Sequence, residues 1–575
     1  MLRSVNYYAL LLFLTLLTAA PSLYGQDDFE KWKKAEAEKY QQWKDARDKE
    51  FTEFLKQEWK QFTAFKELSL FDAPKPKRLP VAPPHRETKP SLKQKPGPEP
   101  KTESNPHRGT VPEATVEKNP EAKGVPKPEE KREKDVQVNP DVKPEITPEV
   151  KPEAKPKADD KGATKPEAAN EPKVLGRPID KPETKLANEA ELPVEAKPDA
   201  NPAVEAKDLG NVSVDFFEAT VPLQYSTGMV TRLSGPPNAK TISSFWETMS
   251  KSNYEGFLKQ AQLTREKMRL NDWGYCEMLH KTAVRLYPGL SNEPNLFVWF
   301  MLLKSGYRAK IGYSGDAVYL LLPASNTLYA VAYYVFANSD QKFYNVLFDR
   351  FEKPRIAQLY SYDQDYPNAT KLTGYQISSP PSIQPDTKAK TLKFVDNGSE
   401  YTVTVHYDQS SVKFYEYYPQ TDLEVYFDAV PSNDARKSLL EAMRPFVQDK
   451  SETDAVNVLL HFVQTAFPYK TDDEQFGREK PFFPEETLYY PGSDCEDRAV
   501  LFSFLVRNLL GLKVVGLDYP NHVATAVRFS SNVNGDQVVV GNVIYTVCDP
   551  TYINADFGMC MPQFKKVKPG IIALK

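Results

Sequence analysis

A proline-rich stretch divides the sequence into parts that cannot fold in the same way. Residues 74 to 202 hold 26 of the 49 prolines, and no phenylalanine, tyrosine or tryptophan occurs between Phe71 and Phe216. A segment of this composition cannot bury enough apolar surface to offset the conformational entropy that folding costs. We therefore predict a disordered Pro/Lys/Glu-rich linker over residues 73 to 208, which acts as an extended spacer rather than as a binding motif.

The first 25 residues have the pattern of a secretory signal peptide. Arg3 supplies a positive charge, the apolar run from Ala9 to Ala20 is short for a membrane span, and small residues follow as far as Gly25. A short membrane anchor is the alternative. No other apolar run reaches the ~20 residues that a membrane helix needs. We expect an exported protein, periplasmic, cell-surface or secreted, with no transmembrane segment after signal cleavage.

Aromatic residues recur every 11 positions over residues 26 to 72. The two series are Phe29, Tyr40, Phe51 and Phe62, and Trp32, Trp43, Phe54 and Phe65. Eleven residues make almost three helical turns, so both series fall on one stripe of a long amphipathic helix. We favour self-association of this helix in a bundle, because the stripe must be buried. Docking on a partner or on the catalytic domain, and binding to a membrane surface, are the alternatives.

Charge and cysteine content narrow the functional classes. Lys and Arg total 74 against 78 for Asp and Glu, which gives no reason to expect nucleic acid as a partner. Four cysteines (Cys276, Cys495, Cys548 and Cys560) are too few for a disulfide-held domain, although Cys548 and Cys560 could pair. Histidine is scarce, and neither paired cysteines, an HExxH motif nor a Gly-rich phosphate loop occurs. We expect no metal and no cofactor.

The remaining sequence has the composition of folded protein. We divide it into an α/β domain over residues 209 to 365, a β-rich segment over 366 to 424, and a catalytic domain over 425 to 575. In the middle segment, alternating polarity and the turn residues Asn397 and Gly398 predict hairpins.

Three residues of the last domain have the order and chemistry of a catalytic triad. Cys495 lies at the start of a helical pattern, His522 begins a strand-like run, and Asp549 ends another strand before Pro550. A helix N-terminus favours a thiolate, and a histidine can hold that thiolate and later protonate a leaving amine. Asp549 would orient the imidazole, and the N–H of Cys495 could donate to an oxyanion.

Structural roles remain open for the same residues. Cys495 could be a small buried residue, and Asp549 could simply form a turn before Pro550. Glu496 and Asp497 suit the start of a helix, yet their charges oppose a thiolate at Cys495.

Three motifs around these residues resemble those of the transglutaminase-like family within the papain-like cysteine enzymes. DCEDRAVLF, YPNHVATAV and YTVCDPTY match the family's motif boxes in order and spacing, and the similarity covers residues 425 to 560. The resemblance implies an α+β fold with Cys495 as nucleophile, His522 as general base and acid, and Asp549 as the orienting residue. It also implies acyl transfer from a protein or peptide through a thioester. We favour amide hydrolysis, with protein crosslinking as the other outcome.

An earlier stretch repeats the same pattern without the triad. SNEPNLFVWFMLLKSGYRAKIGYSGDAVYLLLP parallels the sequence from Ser493, and KFYNVLFD parallels VIYTVCDP. Glu293, Ala317 and Phe348 then take the places of the three triad residues, and none of them could do the chemistry. We predict that residues 212 to 360 form a degenerate transglutaminase-like domain, and a different strand order in the two domains would refute the repeat. The alternative is an unrelated α/β domain.

A second functional class remains. The amphipathic helix and the linker also suit a non-catalytic surface adhesion or scaffolding protein that uses the fold for binding.

Overall fold

The structure is a computed structural model. It describes residues 26–83 apart from 58 and 72, and residues 208–575 apart from 337–338 and 349–355, with the backbone alone for 26–30. The predicted signal peptide, and the predicted linker from residue 84 to 207, lie outside the described residues. No helix in the described part of the chain combines the length and the apolar character needed to cross a membrane.

The described residues form a mixed α+β protein, as expected. The helices, in chain order, are α1 Gln26–Leu55, α2 Ala239–Lys251, α3 Glu255–Lys267, α4 Asp272–Leu286, α5 Asn292–Lys304, α6 Gln409–Tyr415, α7 Leu423–Phe427, α8 Asn433–Val447, α9 Glu452–Ala466, α10 Asp472–Phe476, α11 Pro484–Tyr489 and α12 Cys495–Leu505. The strands are β1 Lys60–Thr63, β2 Leu209–Phe216, β3 Ala219–Ser226, β4 Lys310–Ser314, β5 Ala317–Pro323, β6 Tyr333–Val335, β7 Lys342–Asn345, β8 Gln358–Ser361, β9 Thr387–Asp396, β10 Ser399–Asp408, β11 Lys513–Tyr519, β12 His522–Arg528, β13 Gln537–Val540, β14 Val543–Cys548 and β15 Gly570–Ile572.

The amphipathic helix is shorter than predicted. Helix α1 ends at Leu55, where the Trp59 indole N–H donates to the Leu55 carbonyl at 3.0 Å. Residues 60–63 then pair with β8 as an edge strand, so the last aromatic repeat belongs to a sheet and the prediction of one helix to residue 72 is wrong. Backbone pairing with a distant strand has overridden the local helical periodicity.

The aromatic stripe of α1 docks on the protein's own α/β domain. Phe51 is 1% exposed, and its ring lies 4.9 Å from Trp246 and 5.1 Å from Tyr366, centroid to centroid. Nearer the N-terminus the stripe is open, since Tyr40 is 58% and Trp43 49% exposed. The described contacts therefore match the docking alternative for the second half of the helix, and self-association stays a prediction for the exposed half.

Two antiparallel sheets have the same strand order. The sheet of the last domain runs β15-β11-β12-β14-β13, and that of the earlier domain runs β8-β4-β5-β7-β6 with β1 added beside β8. Helix α12 packs against β11 and β12, and helix α5 packs against the corresponding strands β4 and β5. The strand order that would have refuted an internal repeat does not occur.

Register aligns the two sheets residue by residue. A two-residue turn joins β4 to β5, with Ser314 opposite Ala317, and another joins β11 to β12, with Tyr519 opposite His522. Ala317 is therefore the counterpart of His522, as predicted. Strand β5 pairs with β7 as far as Leu321 and Asn345, whereas β12 pairs with β14 as far as Thr525 and Cys548. When the first pairing is extended by two residues, Leu347 takes the place of Asp549. The choice of Phe348 was therefore wrong by one residue.

The middle segment contains one long hairpin followed by a helix. Strands β9 and β10 pair from Asp396–Ser399 to Thr387–Asp408 across a turn in which Asn397 and Gly398 have φ of 48° and 78°. This turn is as predicted. Residues 409–415 are helical rather than extended, because the Asp408 carboxylate accepts hydrogen bonds from the N–H groups of Ser410 and Ser411 and caps helix α6.

The chain between Ala73 and Pro83 is held against the last domain. Lys75 and Ala82 are buried, and Ala82 N–H donates to the Ile553 carbonyl at 2.8 Å. The prediction that the linker starts at residue 73 is therefore wrong for these residues. We call residues 73–83 the strap.

Candidate functional site

Helix α12 places Cys495 at its first residue. The helix is buried all round, and its N-cap residue Asp494 closes a capping box in which Asp494 N–H donates to Asp497 Oδ2 at 3.0 Å. Asp497 also accepts from Phe482 N–H at 2.8 Å. These buried bonds fix the start of the helix, and so fix the backbone that carries the thiol.

His522 and Asp549 meet at one end of the sheet. His522 Nε2 lies 2.8 Å from Asp549 Oδ2, and both side chains are buried. Asp549 Oδ1 accepts from the N–H groups of Thr551 at 2.9 Å and Tyr552 at 3.2 Å, so the carboxylate is held from both sides. A carboxylate is only an acceptor, so Nε2 carries the proton and Nδ1 is the nitrogen that can exchange a proton.

An aromatic ring fixes the plane of the imidazole. Phe564 stacks on His522 with ring centroids 5.1 Å apart and an interplanar angle of 4°. Tyr519, which lies directly opposite His522 in the β11–β12 hairpin, also stacks on Phe564, with ring centroids 4.7 Å apart. The ring therefore has little freedom to turn away from Asp549.

The thiol of Cys495 donates to a carboxylate and not to the imidazole. Its hydrogen-bond acceptor within the described residues is Glu496 Oε2, at 3.2 Å. Burial raises the pKa of this thiol well above its usual value; Glu496 and Asp494 raise it further, while Lys75 and the Val523 backbone N–H act in the opposite direction. The expected thiolate at the helix start is therefore not the resting state, because burial of the thiol, together with the neighbouring acids, outweighs the helix dipole. Helix α12 packs against β12, and Cys495 shares a buried cluster with Val523, the residue that follows His522 in the sequence.

Buried acids surround this helix start. Burial raises the pKa of Asp472 to about 7, with the charge of Asp494 adding to the effect. Burial and Asp494 likewise raise the pKa values of Glu496 and Asp497 well above their usual range. Protons or cations must therefore compensate part of this negative charge at neutral pH.

One lysine from outside the domain supplies a cation. Lys75 Nζ contacts Glu496 Oε1 and lies 2.9 Å from Asp494 Oδ2, and its side chain is 1% exposed. It also lies 2.8 Å from Glu479 Oε2 and 3.4 Å from Asp472 Oδ2. We call these four carboxylates the acidic pocket. Burial opposes the charge of Lys75, but the acids prevail and raise its pKa well above the usual value.

The same carboxylates could also hold a metal ion. Three overlapping groups have ligand atoms within 4.8 Å of one another: Asp494, Cys495 and Glu496; Asp472, Asp494 and Asp497; Asp472, Glu479 and Glu496. Oxygen-rich sets of this kind suit Ca²⁺ or Mg²⁺. The Lys75 ammonium lies among these oxygens, so an ion there would have to displace it.

His461, the other histidine of this domain, has a structural role. His461 Nδ1 lies 2.7 Å from Asp396 Oδ1 and Nε2 lies 3.0 Å from Asp556 Oδ1, which ties helix α9 to the β9–β10 hairpin and to the C-terminal loops. Burial disfavours its charge, but the bonds to Asp556 and Asp396 prevail and raise its pKa. All four cysteines of the chain are free and buried, so Cys548 and Cys560 are not paired.

Sequence reasoning selected Cys495, His522 and Asp549 as candidates but missed their surroundings. The structure brings His522 and Asp549 into contact and sets Cys495 beside the start of the same strand. It adds Glu496 as the partner of the thiol, and Lys75 as the neighbouring cation. Nothing local marks Lys75 among the many lysine-proline pairs of the sequence, so its burial could not be read from composition.

Comparison with known proteins identifies no relative. No family model, no curated protein and no solved structure matches this chain.

Proposed function

We propose that the protein is a cysteine-dependent acyl-transfer enzyme of the transglutaminase-like type, with Cys495 as nucleophile, His522 as general base and acid, and Asp549 as the orienting carboxylate. The observation that carries the proposal is the buried His522–Asp549 pair, 2.8 Å between Nε2 and Oδ2, at the strand start that the Cys495 helix faces. A charge-assisted bond of this kind holds an imidazole in one tautomer and stabilises its protonated form.

The chemistry proceeds in two half-reactions. His522 Nδ1 takes the thiol proton, Cys495 Sγ attacks the carbonyl carbon of an amide, and the tetrahedral intermediate collapses to a thioester as the protonated imidazole gives its proton to the leaving amine. The Cys495 N–H, in the first turn of α12 where no intrahelical acceptor exists, is a candidate donor to the oxyanion. Water then releases an acid, or an amine forms a new amide, and the thiol is regenerated.

The resting arrangement requires an activation step. Cys495 is protonated and hydrogen-bonded to Glu496, so the thiol must turn from Glu496 to His522 before attack. A change in the charge or hydration of the acidic pocket would accompany that step, because the same carboxylates raise the pKa of the thiol.

The earlier domain fits the role of a degenerate second copy. It has the same strand order, yet Asn292, Ala317 and Leu347 stand where the triad residues would be. Asn292 is the first residue of α5, as Cys495 is of α12, and its Oδ1 accepts from the Val318 N–H at 2.9 Å, so the alignment of Glu293 with Cys495 was wrong by one residue. We propose that it binds or positions substrate. This part also supports the second candidate function, a non-catalytic scaffold, since here the strand arrangement exists without the triad.

Acyl transfer to the thiol separates the two candidates. The full chain is incubated with a mixture of glutamine-containing and other peptides, and a hydroxylamine-sensitive mass adduct on Cys495 is sought by mass spectrometry. We expect the adduct in the wild-type chain and in Cys276→Ala, which removes an equally buried thiol in the other domain. We expect none in Cys495→Ala and a strong reduction in His522→Ala. An adduct rate that His522→Ala leaves unchanged would rule out the triad. Hydroxamate formation at the expense of free acid reports the acceptor preference.

A further inference from the structure

The strap crosses the end of the sheet that carries the candidate triad. At its start, Ala73 N–H donates to the side chain of Asn521, the residue before His522, at 2.9 Å. Further along, the Pro76 carbonyl accepts from the Tyr469 hydroxyl at 2.7 Å. At its end, Val81 pairs in parallel with Ile553, four residues after Asp549, through bonds from the Ala82 N–H to the Ile553 carbonyl and from the Ile553 N–H to the Pro80 carbonyl.

Between these anchors, Lys75 enters the acidic pocket. Four carboxylates surround its ammonium, from Asp472, Glu479, Asp494 and Glu496, and two of these residues flank Cys495 in the sequence. The Lys75 ammonium also lies over the ring of Phe71, with Nζ 4.5 Å from the ring centroid. Pro74 and Pro76 hold the backbone extended on either side, because proline fixes φ and restricts the preceding residue.

The contacts are those of a peptide ligand in a binding groove. A single side chain enters a deep charged pocket, main-chain groups bond to Asn521, Tyr469 and Ile553, and the neighbouring Lys77 is exposed. A lysine needed only for charge balance would not require the backbone on both sides to be bound as well.

We propose that the acidic pocket is a recognition site for the side chain of a lysine in an extended, proline-flanked peptide, and that the strap is an internal ligand that occupies it and covers Cys495. This inference deepens the proposed function and rests on it for the role of Cys495. The recognised chemistry is a primary ammonium on a four-carbon stem, and the occupant in this structure is the chain's own Lys75.

The linker sequence offers further segments of the same kind. The tripeptide Pro74-Lys75-Pro76 recurs at residues 126 to 128. A peptide of residues 122 to 131 is therefore a natural second probe of the pocket, beside a peptide of residues 71 to 83.

Binding and thiol accessibility test the proposal on the full chain. Lys75→Met keeps the length of the stem and removes the charge, and Lys77→Met is the matched control in the same segment. The first measurement is the rate at which iodoacetamide alkylates Cys495, located by peptide mass spectrometry. We expect Lys75→Met to alkylate about tenfold faster or more. Without its buried cation the strap is weakly held, and the water that then reaches Cys495 removes the desolvation that is the largest cause of its raised pKa, which outweighs the loss of one positive charge. We expect Lys77→Met to behave as wild type. The second measurement is binding of the fluorescent 71–83 peptide, which should bind the Lys75→Met chain, bind wild type weakly, and lose binding when the peptide itself carries Met at position 75.

A second variant guards against misfolding of the first. Ala82→Asp puts a charge into the buried apolar cluster that Ala82 forms with Tyr552, Ala555 and Met561, and it leaves the acidic pocket intact. It should therefore also release the strap, accelerate alkylation and permit peptide binding. Equal alkylation in all variants would overturn the covering role of the strap. Peptide binding that does not depend on the lysine, or displacement of the peptide by Ca²⁺ alone at stoichiometric concentration, would overturn lysine recognition. Peptide binding is also measured in a Cys495→Ala background, and acyl adducts are measured on chains that keep Cys495. Lysine-dependent binding without adducts would reject only the proposed function. Adducts without lysine-dependent binding would reject only this inference.

Discussion

Replacing Asp549 by Asn tests whether the His522–Asp549 pair acts on Cys495. The substitution keeps the size of a residue that is 2% exposed, and Asn Oδ1 can still accept from Thr551 and Tyr552. Facing His522, however, the amide offers either an N–H donor or a neutral oxygen in place of a charged acceptor. The imidazole then loses the partner that keeps the proton on Nε2 and that stabilises its protonated form.

The geometry sets the expected size of the effect. One buried hydrogen bond to a charged group, at 2.8 Å, contributes about 1.5–3 kcal/mol. At about 1.4 kcal/mol for each factor of ten, this corresponds to a loss of roughly 10- to 150-fold in the fraction of thiol that transfers its proton to His522. The substitution removes the buried charge of Asp549 together with its bond to His522, so no unpaired charge is left in the core. We therefore expect the folded state to survive.

Alkylation kinetics between pH 5 and 9 measure that fraction. The rate at Cys495 is followed by peptide mass spectrometry, which separates this thiol from the other three. Asp556→Asn is the matched control, since it removes the same kind of bond from His461, 3.0 Å between Nε2 and Oδ1. Both variants are also measured in the Ala82→Asp background, where the strap should no longer limit access.

The expected result is a fall confined to Asp549→Asn and largest below the pH at which the free thiol ionises. If Asp549→Asn and Asp556→Asn alkylate at the same rate across the whole range, the His522–Asp549 pair has no influence on the thiol and the triad must be abandoned.

Two further predictions concern stability. Phe51→Ala should lower the free energy of unfolding by about 3–5 kcal/mol in chemical denaturation, because it empties the contact of helix α1 with the α/β domain; Tyr40→Ala, on the same stripe but 58% exposed, should change it little, and equal effects would mean that the helix is not docked. Burial raises the pKa of Glu485 from 4.5 to about 7, so the folded state keeps a proton that the unfolded chain loses, and stability falls by up to about 3 kcal/mol as pH rises between these values. Glu485→Gln should make the total fall smaller by this amount, leaving the share of Asp472, Glu496 and Asp497, while the exposed control Glu400→Gln should not. An unchanged pH profile in Glu485→Gln would show that Glu485 does not contribute to it.

Motifs that depend on neighbouring residues could be read from the sequence. The hairpin at Asn397 and Gly398 forms because both positions accept positive φ, and the start of the Cys495 helix forms because Asp494 and Asp497 close a capping box. The two domains could be aligned because helix, strand and turn follow each other at similar spacing. The structure keeps Ala317 and moves the other two positions by one residue each, from Glu293 to Asn292 and from Phe348 to Leu347.

Contacts between distant segments could not be read in this way. The helical stripe predicted to residue 72 stops at Leu55 because β1 pairs with β8, some 300 residues away, and sequence periodicity carries no information about that partner. The protonated resting state of Cys495 has the same origin. The helix dipole is a local property, whereas the desolvation that outweighs it arises only when several elements pack together.

By itself, the sequence determined the order of Cys495, His522 and Asp549 and the type of element that carries each of them, since side-chain chemistry and local periodicity are properties of the chain. The tertiary structure alone decided what surrounds the thiol. Lys75 resembles every other lysine beside a proline until the fold buries it among four carboxylates, because only packing can bring a residue so far away in the sequence to Glu496 and exclude water from both.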